Sequence, residues 1–296
     1  MMKIDFLEKH ITPLSPIKTS LEAKGEPVEE IKGVLFDIYG TLFISESGGI
    51  NISEKNKNRY EKINKLLTRY SISSNSENLL PGNLLPENLL KDLFGKIKEK
   101  HEELKQKGVD YPEVEIDRIW AEVIKINDMD LIRKFAAEYD FIVNPVYPMP
   151  GLEKTISTLK KRNILMGIIS NAQFYTQFLF ELFFNLKAEE LGFDSDLIFF
   201  SYRYGYAKPS SHMFRLAAKE LEKRGLNVQS VLYIGNDMRN DILAAKKEGF
   251  QTALFAGDKR SLRLRQDEPE CKDIKPDFVI TDLIQLLDFT IQQHVF

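Results

Sequence analysis

Short continuous apolar runs alternate with amphipathic stretches along most of this chain. The first run lies in IKGVLFDIYG, residues 31–40, where the apolar positions are consecutive and stop at a glycine. This pattern is typical of a strand that is buried on both faces of a parallel sheet. Similar runs recur at residues 164–170, 197–201, 230–235, 251–257 and 277–281. We predict that these runs form one sheet.

The stretches between the later runs carry apolar residues at helical spacing. Leu152, Ile156 and Leu159 share one helix face, and residues 209–225 and 240–249 repeat the pattern. Helices that alternate with buried strands indicate a doubly wound, parallel-sheet α/β fold with right-handed crossovers.

Three polar residues come at the carboxyl ends of predicted strands. They are Asp37, Ser170 and Asp237, which are far apart in the sequence. Ligands of open α/β sheets bind beyond the carboxyl ends of the strands. We therefore expect these side chains to meet in one crevice.

Residues 45–147 have only helical periodicity and are rich in Lys and Glu. We predict that they form an all-helical cap domain, inserted between the first and second strands of the sheet. The α/β core domain then comprises residues 31–44 and 148–296. Residues 1–30 have weak periodicity and are interpreted as an N-terminal extension.

Composition narrows the range of partners and compartments. The chain has 296 residues, a net charge of -3 and a pI of about 6.0, so no global positive field attracts nucleic acid. A small-molecule substrate is expected.

Cys271 is the only cysteine, which excludes an internal disulfide and fits a reducing compartment. No run of about 18 apolar residues occurs, so we predict a cytoplasmic protein without a membrane partner.

Four separated motifs occur in order along the chain. They are LFDIYGTL, GIISNA, YAKPSSHMF and YIGNDMRNDILAA. Together they resemble the motifs of the haloacid dehalogenase (HAD) superfamily of hydrolases, and the resemblance runs from about residue 31 to residue 287. It implies a HAD-like, Rossmann-like core with a helical cap, and a hydrolase that forms a covalent aspartyl intermediate.

The first motif offers a nucleophile. A carboxylate at the mouth of a buried strand, here Asp37, can attack phosphorus or an electrophilic carbon. Gly40 allows a tight turn in which backbone N–H groups can point at a substrate anion. The Thr41 hydroxyl can orient the carboxylate.

The second and third motifs offer partners for an anion. Ser170 is expected to donate a hydrogen bond to a substrate oxygen, and Asn171 to shape the same loop and contact the substrate. Lys208 precedes Pro209, which disfavours helical geometry at the lysine and lets its ammonium reach the crevice. There the ammonium would neutralise the charge of nucleophile and substrate.

The fourth motif is acidic. Asp237 and Asp241 are spaced i, i+4, and together with Asp37 they would repel each other unless a cation lay among them. An all-oxygen set suits Mg²⁺. The resemblance implies that Mg²⁺ is held by Asp37, the backbone carbonyl of Tyr39 and an acidic residue of this motif. Asn236 and Asp237 both remain candidates, and Asp237 keeps the charge.

The first motif departs from the phosphatase pattern, which has an aspartate at position 39 as general acid and base. Tyr39 has a reference pKa near 10, too high for that proton transfer at neutral pH. Tyrosine here resembles the L-2-haloacid dehalogenase branch, which works without metal and holds halide with a cap arginine. Arg59 and Arg69 are candidates for that arginine by position, and Asp241 could activate water against the ester.

These observations leave three interpretations. The first is a Mg²⁺-dependent, phosphatase-type hydrolase acting on a small phosphorylated metabolite. The second is a metal-independent 2-haloacid dehalogenase. The third is a weakly active or inactive HAD-fold protein that serves as a binding scaffold.

Overall fold

The computed structural model describes residues 4–46, 57–72 and 86–290. The cap predictions for residues 47–56 and 73–85, and the core prediction for residues 291–296, lie outside these described residues. Within the part that is described, the predicted α/β fold with a helical cap is confirmed.

The core is a seven-stranded sheet with the order β1-β9-β8-β7-β2-β5-β6. All neighbouring strands are parallel except β1, which pairs antiparallel with β9 at one edge. The strands of this sheet are β1 (Lys24–Gly25), β2 (Gly33–Phe36), β5 (Leu165–Ser170), β6 (Phe193–Phe200), β7 (Val231–Gly235), β8 (Gln251–Phe255) and β9 (Phe278–Ile280).

Strand β2 lies inside the sheet, between β7 and β5, and its residues alternate between two cores. Val34 and Phe36 pack into the larger apolar cluster, and Leu35 packs into a second cluster on the other face. After β2 the chain continues to β5 and β6 on one side, and then returns to β7, β8 and β9 on the other. The carboxyl ends of β2 and β7 therefore flank the point where the strand order reverses, which is where ligands bind in such sheets.

Helices cover the sheet, as the apolar periodicity predicts. The α-helices of this part of the chain are α5 (Leu152–Lys161), α6 (Phe178–Phe184), α7 (Ala188–Leu191), α8 (Ser201–Tyr204), α9 (His212–Lys223), α10 (Ala244–Lys247) and α11 (Leu286–Phe289). The predicted helix in residues 240–249 differs from the expectation, because it begins as a π-helix over Met238–Leu243 before α10.

Between the two strands that join the cap to the core, the described cap residues form four helices and the loops that connect them. Its helices are α1 (Lys57–Arg69), α2 (Pro86–Gln106), α3 (Ile116–Ile124) and α4 (Met129–Val143). Trp120 of α3 makes edge-on ring contacts with Phe135 and Tyr139 of α4, at 5.0 Å between centroids in each case. This aromatic cluster fixes α3 against α4, since such ring pairs add to the energy of apolar burial.

A two-stranded antiparallel sheet connects the cap to the core. It consists of β3 (Phe43–Ser45), on the way into the cap, and β4 (Val146–Pro148), on the way out. The sequence did not reveal this pair, because each strand has only three residues.

The N-terminal segment contacts both the core and the cap. The 3₁₀ helix Asp5–His10 packs against α4 and α6, with Leu7 fully buried. Further along, β1 extends the main sheet. No helix among the described residues is both long enough and apolar enough to span a bilayer.

Candidate active site

Asp37 follows directly after β2, at the carboxyl edge of the sheet. The chain then turns through Gly40, whose φ of +83° favours glycine. A Cβ at this position would lie 2.4 Å from Cβ of Ser261 and 2.8 Å from Nδ2 of Asn236. The N–H of Gly40 donates to the carbonyl of Phe43, and this hydrogen bond stabilises the turn.

One oxygen of Asp37 is held by two side chains. Oγ of Ser170 donates to Oδ1 at 2.8 Å, and Nζ of Lys208 donates to the same oxygen at 2.7 Å. Asp37 is 6% exposed. Its other oxygen, Oδ2, accepts no hydrogen bond from the described part of the chain. The second and third motifs therefore converge on the first, as the sequence predicts, and they orient its carboxylate.

Lys208 joins the first motif to the fourth. Its Nζ lies 2.5 Å from Oδ1 of Asp241 and 2.9 Å from the hydroxyl of Tyr233. Burial alone would lower the pKa of the lysine, but the charges of Asp241 and Asp37 outweigh it and raise the pKa. Lys208 is therefore protonated, and it compensates two carboxylates.

The side-chain amide of Asn171 forms two hydrogen bonds with the backbone of Lys208. The N–H of Lys208 donates to Oδ1 of Asn171 at 2.6 Å, and Nδ2 of Asn171 donates to the carbonyl of Lys208 at 3.1 Å. Asn171 also lines the cavity described below, but its amide is engaged in positioning the lysine.

Both oxygens of Asp241 are engaged within the protein. Oδ1 accepts from Lys208 and from Tyr233, and Oδ2 accepts from the backbone N–H of Asp237 at 2.9 Å. A Cβ on Gly235 would lie 2.2 Å from Cγ of Asp241, so the glycine permits this approach. Burial raises the pKa of Asp241 to about 6, against the opposing charge of Lys208.

The carboxylate of Asp237 forms an ion pair with Arg265. Nε and Nη2 of Arg265 donate to the two oxygens of the Asp237 carboxylate, with a shortest distance of 2.6 Å. The same carboxylate accepts from the backbone N–H groups of Arg239 and Asn240, and so caps the π-helix. The Asp237 carboxylate is therefore engaged by Arg265 and by the start of the π-helix, and no hydrogen bond or ion pair of the described residues joins it to Asp241 or Asp37 through its side chain.

Thr41 is fully buried and contacts the fourth motif. Its hydroxyl donates to Oδ1 of Asn236 at 3.2 Å, while Nδ2 of Asn236 donates to the carbonyl of Ser261 at 2.6 Å. The expected contact of the threonine hydroxyl with Asp37 is replaced by this chain of hydrogen bonds, which fixes the loop after β7 to the loop after β2.

The phenol of Tyr39 is hydrogen-bonded to Thr176, with 2.9 Å between the two hydroxyl oxygens. Burial and the nearby Asp140 charge raise the pKa of Tyr39 well above its ordinary value. At neutral pH the side chain of Tyr39, which is partly buried, is therefore a neutral hydroxyl, as its reference pKa led us to expect.

A cavity of about 440 Å³ lies between the core and the cap, with Asp37 in its wall. Its core side includes Tyr39, Asn171, Lys208, Asp237, Asp241, Arg263 and Arg265. Its cap side is mostly apolar and includes Leu93, Ile97, Trp120, Ala136, Tyr139 and Val143. The cavity can therefore hold a small molecule that has a polar end at the core and an apolar part under the cap.

Two ionisable cap residues in the cavity wall were not found from the sequence. Asp140 accepts a hydrogen bond from the hydroxyl of Tyr175 at 3.0 Å, and burial raises its pKa to about 7. Glu113 accepts from Ser201 and Gln173, and burial raises its pKa as well. Both lie in helical or loop segments whose charged residues are mostly exposed, so no sequence signal separates them from surface acids.

A family model of haloacid dehalogenase-like hydrolases matches residues 31–249. The chain belongs to this family.

No curated protein gave a significant sequence match. A solved 2-haloacid dehalogenase from Pseudomonas syringae pv. Tomato DC3000 is similar in structure, with a TM-score of 0.53, 16% identity, and coverage of 88% of this chain and 97% of that one. A HAD phosphatase from Thermococcus onnurineus has a TM-score of 0.50, 16% identity, and coverage of 90% and 100%. These likenesses show the HAD fold, and the two neighbours differ in their activities.

The two cap arginines suggested by position lie outside the cavity wall of this HAD-like hydrolase. Arg59 pairs with Glu46 at 3.1 Å, and Arg69 pairs with Glu138 at 2.5 Å. Among the described residues, the arginines that line the cavity are Arg263 and Arg265, which come from the loop after β8.

The side chains predicted to hold Mg²⁺ are already engaged in contacts within the protein. Of the predicted donors, Asp37 keeps Oδ2 open, but the Asp237 carboxylate is bound by Arg265 through both oxygens. The amide of Asn236 is used by Thr41 and Ser261. Within the described ranges, no group of three or more His, Cys, Asp or Glu side chains is arranged to hold a metal ion. As arranged, the donor set does not fit a divalent cation, which requires oxygen ligands that are not neutralised by an arginine.

Proposed function

We propose that this HAD-family hydrolase acts by the dehalogenase route, without a metal ion. In the proposed reaction, Asp37 displaces halide from the carbon next to the carboxylate of a small 2-haloacid. Water then hydrolyses the resulting ester on Asp37 and releases a 2-hydroxy acid.

The contacts of Asp37 support its role as the nucleophile. Ser170 and Lys208 fix Oδ1, and the open Oδ2 provides the lone pair that attacks carbon. Holding one oxygen in place reduces the freedom that the carboxylate would have to lose on the way to the transition state.

Tyr39 supports a leaving group that needs no proton. Its hydroxyl is hydrogen-bonded to Thr176, and its raised pKa makes it a poor proton-transfer group at neutral pH. Halide departs as an anion and requires no acid, whereas the alkoxide of a phosphomonoester does.

The ion pair between Arg265 and Asp237 is the observation that carries this proposal. Together, Lys208 and Arg265 supply two positive charges for the three carboxylates of Asp37, Asp237 and Asp241. The cluster can therefore remain ionised without the two positive charges of Mg²⁺.

Arg263 is suited to hold the carboxylate of the substrate. It lines the cavity and is half-buried, and its Nη1 donates to the backbone carbonyls of Arg260 and Leu262. It forms no salt bridge with the described residues, so its charge is available to an anion. An arginine can bind a carboxylate through two parallel hydrogen bonds.

Mg²⁺-dependent phosphoester hydrolysis is the second candidate. The acidic character of Asp237 favours it, because carboxylate oxygens are among the ligands that Mg²⁺ binds in proteins. For Asp237 to become a metal ligand, its carboxylate would have to leave Arg265.

Ion release from two classes of substrate tests the proposal. Purified protein is incubated with 2-chloropropionate, and separately with a panel of sugar phosphates and nucleotides, each with EDTA and with Mg²⁺. We expect chloride release that EDTA does not change, a covalent adduct on Asp37 detected by mass spectrometry, and loss of both in Asp37→Asn. Phosphate release that requires Mg²⁺, with no chloride release, would establish the second candidate instead.

A further inference from the structure

We propose that the N-terminal segment positions the guanidinium of Arg263, the group proposed above to hold the substrate carboxylate. It does so through residues 15–19, which contact the loop after β8, here called the arginine loop (residues 256–265). The inference rests on the proposed function, since it assigns the consequence of this contact to substrate binding. It gives a role to a part of the chain whose sequence pattern indicated none.

This part of the N-terminal segment runs along the first half of the arginine loop. The N–H of Ile17 donates to Oδ1 of Asp258 at 3.0 Å, and the N–H of Lys259 donates to the carbonyl of Ile17 at 2.8 Å. The hydroxyl of Thr19 donates to the carbonyl of Ala256 at 2.8 Å. The loop is therefore attached to the N-terminal segment at several points, although the two lie near opposite ends of the chain.

Arg260 connects this attachment to Arg263. Its Nη2 donates to the carbonyl of Ser15, and its Nε donates to both oxygens of Asp258, which is 1% exposed. The carbonyl of Arg260 in turn accepts a hydrogen bond from Nη1 of Arg263 at 2.7 Å. The position of this carbonyl, and with it the position of the Arg263 guanidinium, therefore depends on contacts with the N-terminal segment.

The backbone of Arg263 is held separately, by the loop after β7. Its N–H donates to the carbonyl of Asn236, and its carbonyl accepts from the N–H of Met238, both at 2.9 Å. These hydrogen bonds fix the backbone of Arg263, but its long side chain keeps many rotamers open. The hydrogen bonds from Nη1 to the carbonyls of Arg260 and Leu262 restrict that freedom. The N-terminal segment therefore acts on the orientation of the guanidinium.

The charges of the arginine loop support this assignment. Arg260 pairs with Asp258 at 3.1 Å, and Arg265 pairs with Asp237 at 2.6 Å. Arg263 has no salt bridge with the described residues, so it is the arginine of this loop whose charge is left for a ligand. A guanidinium that is already held in place loses less freedom when it binds a carboxylate.

Apolar packing joins the same two parts of the chain. Leu262 and Leu264 alternate in sequence with the two cavity arginines, and they pack against an apolar cluster that includes Leu254 of β8. Leu21 of the N-terminal segment packs against the same cluster. The segment therefore contributes to the apolar surface that supports the loop, as well as to its hydrogen bonds.

Variants of the N-terminal segment test the inference without changing any residue of the arginine loop. Thr19→Val removes the donor to Ala256 and keeps the shape of the side chain, whereas Thr19→Ser keeps the donor. Ile17→Pro, added to Thr19→Val, also removes the backbone donor to Asp258. Thr12→Val is the matched control, because Thr12 is exposed and its hydroxyl forms no hydrogen bond with the described residues.

The kinetic readout is the separation of KM from kcat. For chloride release from 2-chloropropionate, we expect KM to rise about threefold in Thr19→Val and at least about 10-fold in the double variant, with kcat within about twofold of the wild type. KM rises because the guanidinium that binds the carboxylate is less well held, whereas the contacts of Asp37 are unchanged. Thr19→Ser and Thr12→Val should keep the KM of the wild type.

The structural readout is amide hydrogen exchange, which does not depend on activity. The N–H of Lys259 is bonded to Ile17, and the N–H of Leu262 is bonded to the carbonyl of Asp258. We expect the peptide that spans residues 258–262 to exchange faster in the double variant than in the wild type, as followed by mass spectrometry. Thr12→Val should leave this exchange unchanged.

Each outcome decides between the alternatives. Unchanged exchange in the double variant, or faster exchange with an unchanged KM, overturns the positioning role while the proposed function stands. A fall in kcat at constant KM, or an equal rise in KM in Thr12→Val, also overturns it. Absence of chloride release in the wild type contradicts the proposed function instead, and the exchange of residues 258–262 then decides by itself whether the segment fixes the loop.

Discussion

Nζ of Lys208 lies 2.5 Å from Oδ1 of Asp241, and both side chains are almost completely buried. The same ammonium lies 2.7 Å from Oδ1 of Asp37. One cation therefore determines where two carboxylates of separate motifs lie. Because neither carboxylate is fully compensated without it, the stability of the site depends on this lysine.

Replacement of Lys208 tests this dependence. We expect Lys208→Met to lower the free energy of unfolding by about 3–5 kcal/mol, since it leaves buried carboxylates without a partner. Urea denaturation at pH 7 measures the change. Lys208→Met combined with Asp241→Asn should be less destabilised than Lys208→Met alone, because one unpaired charge is removed. A single variant as stable as the wild type would show that the lysine does not compensate these charges.

Replacement of Arg265 tests the metal site. Arg265→Gln leaves the Asp237 carboxylate without its cation, so we expect the variant to bind Mg²⁺ measurably more tightly than the wild type, as followed by calorimetry. Arg239→Gln is the control, because Arg239 pairs with Glu268 and Glu270. If Arg265→Gln and the wild type bind Mg²⁺ equally, the arginine does not block the site.

Removal of the Tyr39 hydroxyl tests whether this group takes part in proton transfer. Tyr39→Phe loses the hydrogen bond with Thr176, and we expect a loss of about 0.5–1.5 kcal/mol in stability. Chloride release from 2-chloropropionate should change less than threefold. A tenfold or larger loss of turnover in a folded variant would mean that the phenol has a chemical role.

Acid should weaken the contact between the N-terminal segment and the cap. Glu138 accepts hydrogen bonds from His10, Arg69 and Tyr70, and it lies 3.0 Å from Nζ of Lys9. Burial opposes ionisation of Glu138, but these partners outweigh it and lower its pKa from the usual 4.5 to about 2.

A carboxyl group with a lowered pKa contributes stability above its unfolded pKa, and this contribution is lost as the pH falls through the folded pKa. Glu138→Gln should therefore be less stable than the wild type by about 1–2 kcal/mol at pH 7, after allowance for the exposed lysine and arginine. The difference should shrink between pH 4.5 and pH 2. Glu61→Gln should show a much smaller dependence, because its pair with Lys65 is exposed and screened by solvent. A difference that stays constant down to pH 2 would contradict the assignment.

Much of the core was predictable from local pattern. The continuous apolar runs identified the six parallel strands of the main sheet. Such runs are typical of strands that are covered on both faces. The edge strand β1 and the pair β3 and β4 were missed, since two or three residues cannot show periodicity. The π-helix after β7 was missed because its residues also fit an α-helical pattern.

The sequence by itself determined that Asp37, Ser170 and Asp237 come at the ends of strands, and its Lys-Pro motif predicted that Lys208 reaches the same crevice. Hydrophobic periodicity fixes strand positions, and parallel strands bring their carboxyl ends to one edge. Only the tertiary structure decided that Asp237 faces Arg265, and that Asp140 reaches the cavity from the cap. These contacts join a strand end to a loop, and a cap helix to the core. Their geometry depends on the path of the whole chain, which no local pattern specifies.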